Sequence, residues 1–307
     1  MPTSSGTMEE TRLRSSFIYL ANAVNDLRGN WLRLALAIAP LVIAAGVCLL
    51  PDAVNLQYEV VHTFRPGLHS VAGASSWGAW PSAALRAAPR PFPHWSVVVL
   101  HLLGAAVTLA VNLVGLCALQ RIRGGKRAGS LLGELAAVYR RSGQLAKAFA
   151  WVVVLQWLAT LIGFILLVVP GLLAYVWLYF AQYALICDER RGWEALLHSR
   201  QLLRGLFLKV AVRIVVFFAV SSGFNSWAGG VFFAVSLVLG GVGLVTGLLW
   251  AAVLVVDLLA VSVLYATMVL VLAAGLRLYE DLALAQRAGA SAVAAITATA
   301  SLSRQAT

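Results

Sequence analysis

Charge is scarce in this sequence. Of its 307 residues 11% are charged, and 12 are Asp or Glu. Soluble domains carry about a quarter charged residues, so a chain this poor in charge could not cover a water-facing surface. Cysteine is scarcer still. Cys48, Cys117 and Cys187 stand alone in or at the ends of apolar runs, without ligand spacing. Their odd number excludes a disulfide framework. They read as buried small hydrophobes. Gly124-Gly125 lacks the spacing and the preceding strand of a phosphate loop. No nucleophile–base pair encourages a catalytic reading. No catalytic residue, cofactor or metal is expected, and the chain does not read as an enzyme. His62, His69 and His94 match no ligand pattern and read as solvated loop histidines.

What is present is apolar sequence. Hydrophobic residues make up 61% of the chain, and the mean hydropathy is +0.86. Several runs reach the roughly 20 residues that cross a bilayer core. They are continuous rather than alternating, which excludes a β-barrel. The fold class is all-α, a polytopic helical membrane protein with about six transmembrane helices.

The net charge of +11 does not point to nucleic acid, because the charge is segregated. Of the 23 Lys and Arg, only Arg65, Arg86 and Arg90 fall in the long polar stretch 51–94. The rest fall in the N-terminal segment, 121–147, 190–213 and the tail. One topology places all four segments on the same side, as the positive-inside bias requires. A multi-pass protein of the cell membrane follows, with both termini cytoplasmic. Anionic lipid headgroups are the natural partners, together with other membrane proteins.

Along the chain, residues 1–10 read as disordered and 11–287 as one transmembrane domain. From Thr11 to Arg28 the apolar positions Leu13, Phe17, Leu20, Val24 and Leu27 share one helical face, which predicts an interfacial helix. Trp31–Leu50 is the first span, ended by Pro51, and 51–94 is an extracytoplasmic loop without regular structure. Trp95–Leu119 returns to the basic side. A helix capped by Ser130 follows. Ala148–Cys187 is uncharged between basic flanks and so crosses twice, with Pro170-Gly171 as the hairpin break. Asp188–Lys209 is a third amphipathic segment. Val210–Gly275 is read as two long helices joined through glycine-rich sequence, four tight spans being the alternative. The tail, 288–307, reads as disordered.

The pattern G-x-x-x-[RK] precedes three apolar runs, at Gly29/Arg33, Gly143/Lys147 and Gly205/Lys209. Glycine allows the chain to turn from the interface into the bilayer, and the basic residue marks headgroup depth at each helix entry. A three-fold repeat of interfacial helix plus hairpin is therefore expected, over about 11–119, 130–187 and 189–279, with three amphipathic interfacial helices in all. The repeats enter from one side and are parallel, unlike the inverted repeats of many transporters.

The run Val168–Val210 resembles a bacterial and archaeal membrane family related to the membrane domain attached to some glycerophosphodiester phosphodiesterases. Pro170, Gly171, Glu194, Ala195, Leu196, Ser199, Leu203, Gly205 and Phe207 carry the likeness, which extends over about 130–285. The C-terminal LRLYEDL, Leu276 to Leu282, is similar to that family's last helix end. The resemblance implies the fold and no activity.

Two groups of polar residues are candidate sites. Asp257 is an acid inside an apolar tract, and such a residue is a functional candidate by default. Arg213 and His101 are the other ionisable residues near the ends of apolar tracts. Arg191, Arg200 and Arg204 form the second group, suited to phosphate headgroups by their guanidinium forks. The reading is a lipid-engaging scaffold or accessory membrane subunit. The alternative is a transporter or channel for a small or amphipathic solute, in which Asp257 would line the path.

Overall fold

The computed structural model describes residues 13–72, 93–125, 130–246 and 249–305. All regular structure among them is helical: α1 (Ser16–Ala72), α2 (His94–Arg123), α3 (Leu131–Leu166), α4 (Val168–Leu178), α5 (Ala181–Cys187), α6 (Trp193–Leu202), α7 (Phe207–Thr246) and α8 (Leu249–Gln305). Six stretches are long and apolar enough to cross a membrane: Ser16–Cys48, Trp95–Arg123, Leu131–Leu166, Val168–Cys187, Phe207–Phe232 and Leu258–Ala288. The chain is an integral, multi-pass helical membrane protein. The exposed faces agree in chemistry: Trp157 is 70% exposed and Ile165 75%, which suits hydrocarbon rather than water.

α3 illustrates how one helix serves two apolar environments. Ser130 caps it, its Oγ accepting from the Gly133 N–H at 3.1 Å. Val138, Ser142, Leu145, Phe149, Val152, Gln156, Thr160 and Gly163 then recur every three or four residues and are buried. Trp151, Val154, Trp157, Leu158 and Leu161 occupy the outward side. Sequence hydrophobicity alone does not separate these faces, because lipid and protein interior select the same residues.

Several expectations are corrected. α1 does not stop at Pro51 but runs on to Ala72, so the first part of the 51–94 connection is helical. The stretch 73–92 lies outside the described residues. A proline withholds one helical donor and kinks the helix, yet the turns beyond it can still form. The tail is helical to Gln305, because alanine-rich sequence extends an existing helix without a new nucleation cost. The hairpin break lies at Leu167, whose backbone is extended (φ −167°, ψ 152°). Pro170 falls instead in the first turn of α4, where a missing N–H costs nothing. The aromatic run that follows is interrupted at Tyr179-Phe180, between α4 and α5. Val210–Gly275 forms two long helices, as preferred, with Gly223, Gly229 and Gly230 inside α7; Gly247 lies outside the described residues, as do residues 1–10.

The three glycine onsets are built in three ways. Gly205 turns the chain with φ +84° between α6 and α7. At the first, the kink falls on Asn30 (φ −133°, ψ 15°) beside Gly29, and Asn30 Nδ2 donates to the freed Asp26 carbonyl at 3.2 Å. Gly143 makes no turn, because α3 passes through it unbroken. One glycine costs a helix about 1 kcal/mol, too little to break one flanked by strong formers.

The basic partners of these glycines differ in the same way, so the expectation that each marks a helix entry is corrected at Lys147. Lys209 stands in the first turn of a separate helix, exposed at the start of α7. Arg33 lies inside α1, just past the Asn30 kink, and is half-buried. Lys147 sits in the interior of α3, on its exposed side, far from the start at Leu131. Lys147 begins no helix, because the flanking residues are good helix formers and carry the preceding helix through.

The chain divides into two compact units. One gathers the described parts of Met1–Trp31, Leu116–Val220 and Leu270–Thr307. Its core is aromatic: Tyr19, Phe149, Phe180, Tyr183, Phe217 and Tyr279 are fully buried. Gly275 permits the closest approach there. A Cβ at that position would collide with the Tyr183 hydroxyl and lie 2.9 Å from its Cζ and 3.1 Å from the Tyr179 hydroxyl. The other unit comprises the described parts of Leu32–Gly115 and Ser221–Val269. Small and aliphatic residues such as Ala37, Ile38, Ala45, Val111 and Val114 form its core. Thr108 Oγ1 and the Tyr265 hydroxyl share a 2.9 Å hydrogen bond there, and Thr267 Oγ1 donates to Asn225 Oδ1 at 2.7 Å.

Candidate functional site

The polar chemistry of the first unit converges on the C-terminal segment Leu276–Leu282 of α8. Arg277 grips Asp26 of α1 through two atoms, Nε to Oδ2 at 2.7 Å and a terminal nitrogen to Oδ1 at 2.5 Å. The Tyr279 hydroxyl donates to Asp188 Oδ2. Glu280 pairs with Arg123 at the end of α2, 2.6 Å away. Asp281 accepts from the Tyr19 hydroxyl at 2.8 Å. These polar residues, close together on one helix, thus bond α1, the end of α2 and the end of α5. Leu276, Leu278 and Leu282 are buried between them.

Asp188 is the second node. It ends α5, where its own N–H and that of Arg190 both donate to the Ala184 carbonyl. Glu189 between them takes φ +56°, a left-handed conformation that costs a non-glycine residue about 1 kcal/mol. Besides Tyr279, Asp188 meets Arg287 at 3.6 Å and His198 Nε2 at 3.5 Å. At that distance the buried Nε2 makes no well-formed hydrogen bond among the described residues, and Asp188 acts on the imidazole mainly through charge. Burial pushes the His198 pKa down; the Arg190 charge adds to this, and Asp188 offsets part of it. Arg141 holds the same loop from α3, donating to the Ile186 carbonyl at 3.2 Å and meeting Glu189 at 3.6 Å.

Ser199 repairs the break between α4 and α5. Its Oγ donates to the Trp177 carbonyl at 2.6 Å and accepts from the Phe180 N–H at 3.2 Å. Both groups would otherwise be unpaired in the interior. The residue is fully buried on α6, beside Ala195, Leu196 and Leu202. This inward side is the apolar face that the sequence assigns to the interface. It is directed to protein because α6 closes the kink.

The outward side of α6 carries Trp193, Leu197 and Arg200. The Arg200 guanidinium lies 5.1 Å from the Trp177 ring centroid, a cation–π contact that holds its head in place. Arg191 and Arg204 are also exposed. The three predicted headgroup residues therefore belong to one exposed segment, edged by apolar side chains.

The residues of the predicted intramembrane group are each placed by their own helix. Arg213 donates to the Leu13 and Arg14 carbonyls, each at 2.9 Å, and to the Lys209 carbonyl, so it clamps the backbone ahead of α1. His101 is exposed on α2, with Nδ1 2.8 Å from the Val97 carbonyl. Asp257 lies on α8, and its side chain is outside the described residues. Among the described residues no group of three or more His, Cys, Asp or Glu is placed to hold a metal ion.

The pairs Asp26–Arg277, Tyr19–Asp281 and Arg123–Glu280 were missed by sequence reasoning. The only available signal was the density of polar residues in LRLYEDL. No family model, curated protein or solved structure matches this chain.

Proposed function

We propose that this chain is a non-enzymatic membrane protein, a scaffold or accessory subunit whose basic face engages anionic lipid. The observation that carries this reading is a division of labour among its charges. Asp26, Asp188, Glu280 and Asp281 are taken up by partners within the protein. Arg191, Arg200 and Arg204 stay exposed beside Trp193 and Leu197. An exposed strip of tryptophan, leucine and arginine suits the boundary between hydrocarbon and phosphate, where rings and guanidinium groups are both favoured.

The same reading puts the basic segments and both termini on the cytoplasmic side of the cell membrane. Membership of the family related to the phosphodiesterase membrane domain is part of the same proposal. Of the residues carrying that likeness, Ser199 closes a helix break and Gly205 makes a positive-φ turn. These are demands of fold rather than of catalysis.

The test is lipid retention. The purified full chain, passed through detergent and weighed by native mass spectrometry, should keep phosphatidylglycerol in preference to phosphatidylcholine. The double variant Arg200→Gln/Arg204→Gln should lose most of that preference while keeping its thermal transition. Equal retention of both lipids by the unaltered chain would overturn the proposal.

A further inference from the structure

The α3–α4 hairpin has a tip without a polar side chain. From Leu161 to Ala174 the sequence reads LIGFILLVVPGLLA. At the turn Ile165, Leu166, Leu167, Val168 and Val169 are each between 63% and 75% exposed. A connection facing water or headgroups would carry polar or charged residues, as 51–94 does. Here five consecutive large aliphatic side chains point away from the protein.

The backbone of the turn is adapted to the same environment. The connection is one residue long. The Leu167 N–H donates to the Gly163 carbonyl at 3.0 Å, and the Gly171 N–H donates to the Leu167 carbonyl at 3.2 Å. Pro170 has no N–H, which removes one of the donors that a helix start leaves unpaired. The two backbone segments also touch directly. A Cβ on Gly163 would lie 2.8 Å from Gly171 Cα and 3.1 Å from the Pro170 carbonyl oxygen. Close packing of this kind shields peptide groups where no water is available to satisfy them.

Length agrees with this. From Ala148, after the last basic residue, to Leu166 the helix rises about 28 Å, against a hydrocarbon core of roughly 30 Å. Val168 to Cys187 returns over about the same distance. The helices therefore reach the far edge of the core and have no residues left with which to pass through the headgroups.

We infer that the α3–α4 hairpin is re-entrant, and that its tip, Ile165 to Val169, is seated in the acyl chains of the far leaflet. Bilayer hydrocarbon is the partner of this surface. The hairpin anchors the unit to the membrane without contributing to the opposite face.

The experiment places a nitroxide at Leu167→Cys in the full chain with Cys48, Cys117 and Cys187 replaced by alanine. The protein is reconstituted into phosphatidylcholine–phosphatidylglycerol vesicles. Power-saturation spectroscopy then compares collision with oxygen, which concentrates in hydrocarbon, and with a water-soluble nickel chelate. The expected result is strong oxygen and weak nickel relaxation, the nickel effect several-fold below that of a Gln201→Cys label on α6. Nickel relaxation equal to that at Gln201 would show an emergent tip and overturn the inference. Weak relaxation by both reagents would mean a protein-covered tip and overturn it equally. Val168→Cys is read in the same way if Leu167→Cys does not insert.

Discussion

Arg277 and Asp26 form a two-point ion pair across 251 positions of sequence, at 2.7 Å and 2.5 Å. Both side chains are about three-quarters buried. Attraction between such groups roughly offsets their desolvation, so the intact pair adds little net stability, whereas breaking it leaves a charge stranded. Asp26→Asn should lower stability by about 2 kcal/mol, and Asp26→Leu/Arg277→Met should recover most of the loss. Thermal unfolding in detergent of the single and double variants checks this.

Ser199→Ala removes one hydroxyl and leaves both the Trp177 carbonyl and the Phe180 N–H without a partner. A buried unsatisfied group costs about 1–3 kcal/mol, and two are created together. The variant should unfold at a clearly lower temperature, and amide exchange at Phe180 should accelerate. Unchanged exchange at Phe180 would count against the repair role of Ser199.

Gly275→Ala should destabilise the chain, because the new methyl group meets the Tyr183 hydroxyl. Among the described residues that hydroxyl makes no well-formed hydrogen bond, so Tyr183→Phe should be neutral or slightly stabilising. Added to Gly275→Ala, it should restore part of the loss by opening the space the methyl group requires. A double-variant cycle on the thermal midpoint measures the coupling.

His198 makes stability depend on pH. Its folded pKa is lowered from the ordinary 6.5, so the unfolded chain binds the proton more readily. Its contribution is complete above pH 6.5 and is lost as pH falls through the folded value. The transition temperature should drop on acidification through that window. His198→Gln should flatten this part of the profile without altering the behaviour above pH 7.

Much of the architecture was legible because membrane insertion is written in local composition. Apolar runs, basic flanks, the Ser130 cap and the turn at Gly205 are properties of short segments. The hairpin was legible to within three residues, since Pro170 signals a helix start as readily as a helix end. Pro51, Gly143 with Lys147, and the alanine-rich tail misled for a related reason: a single breaking residue or a polar tail carries little weight against a helix that is already formed.

The polar network was not legible, because its information is in pairs. Nothing near Asp26 announces Arg277, and nothing near Trp177 announces a serine 22 positions later. The exposed arginines were identifiable as a class, but their separation from the paired acids required the packing. Asp257 was conspicuous in sequence for being alone, and that solitude carried no information about its surroundings.

The bonds made by Leu276–Leu282 bear on the order in which the protein is made. Tyr19 leaves the ribosome 262 residues ahead of its partner Asp281, and Asp26 leaves 251 ahead of Arg277. During synthesis α1 is held to the bundle by the backbone grip of Arg213 and by apolar contacts such as Tyr19 with Phe217. Its side-chain bonds to α8 form once that helix has been inserted. A ribosome stalled before residue 277 would therefore display an α1 held through Arg213 and Phe217 but lacking its bonds to Arg277 and Asp281.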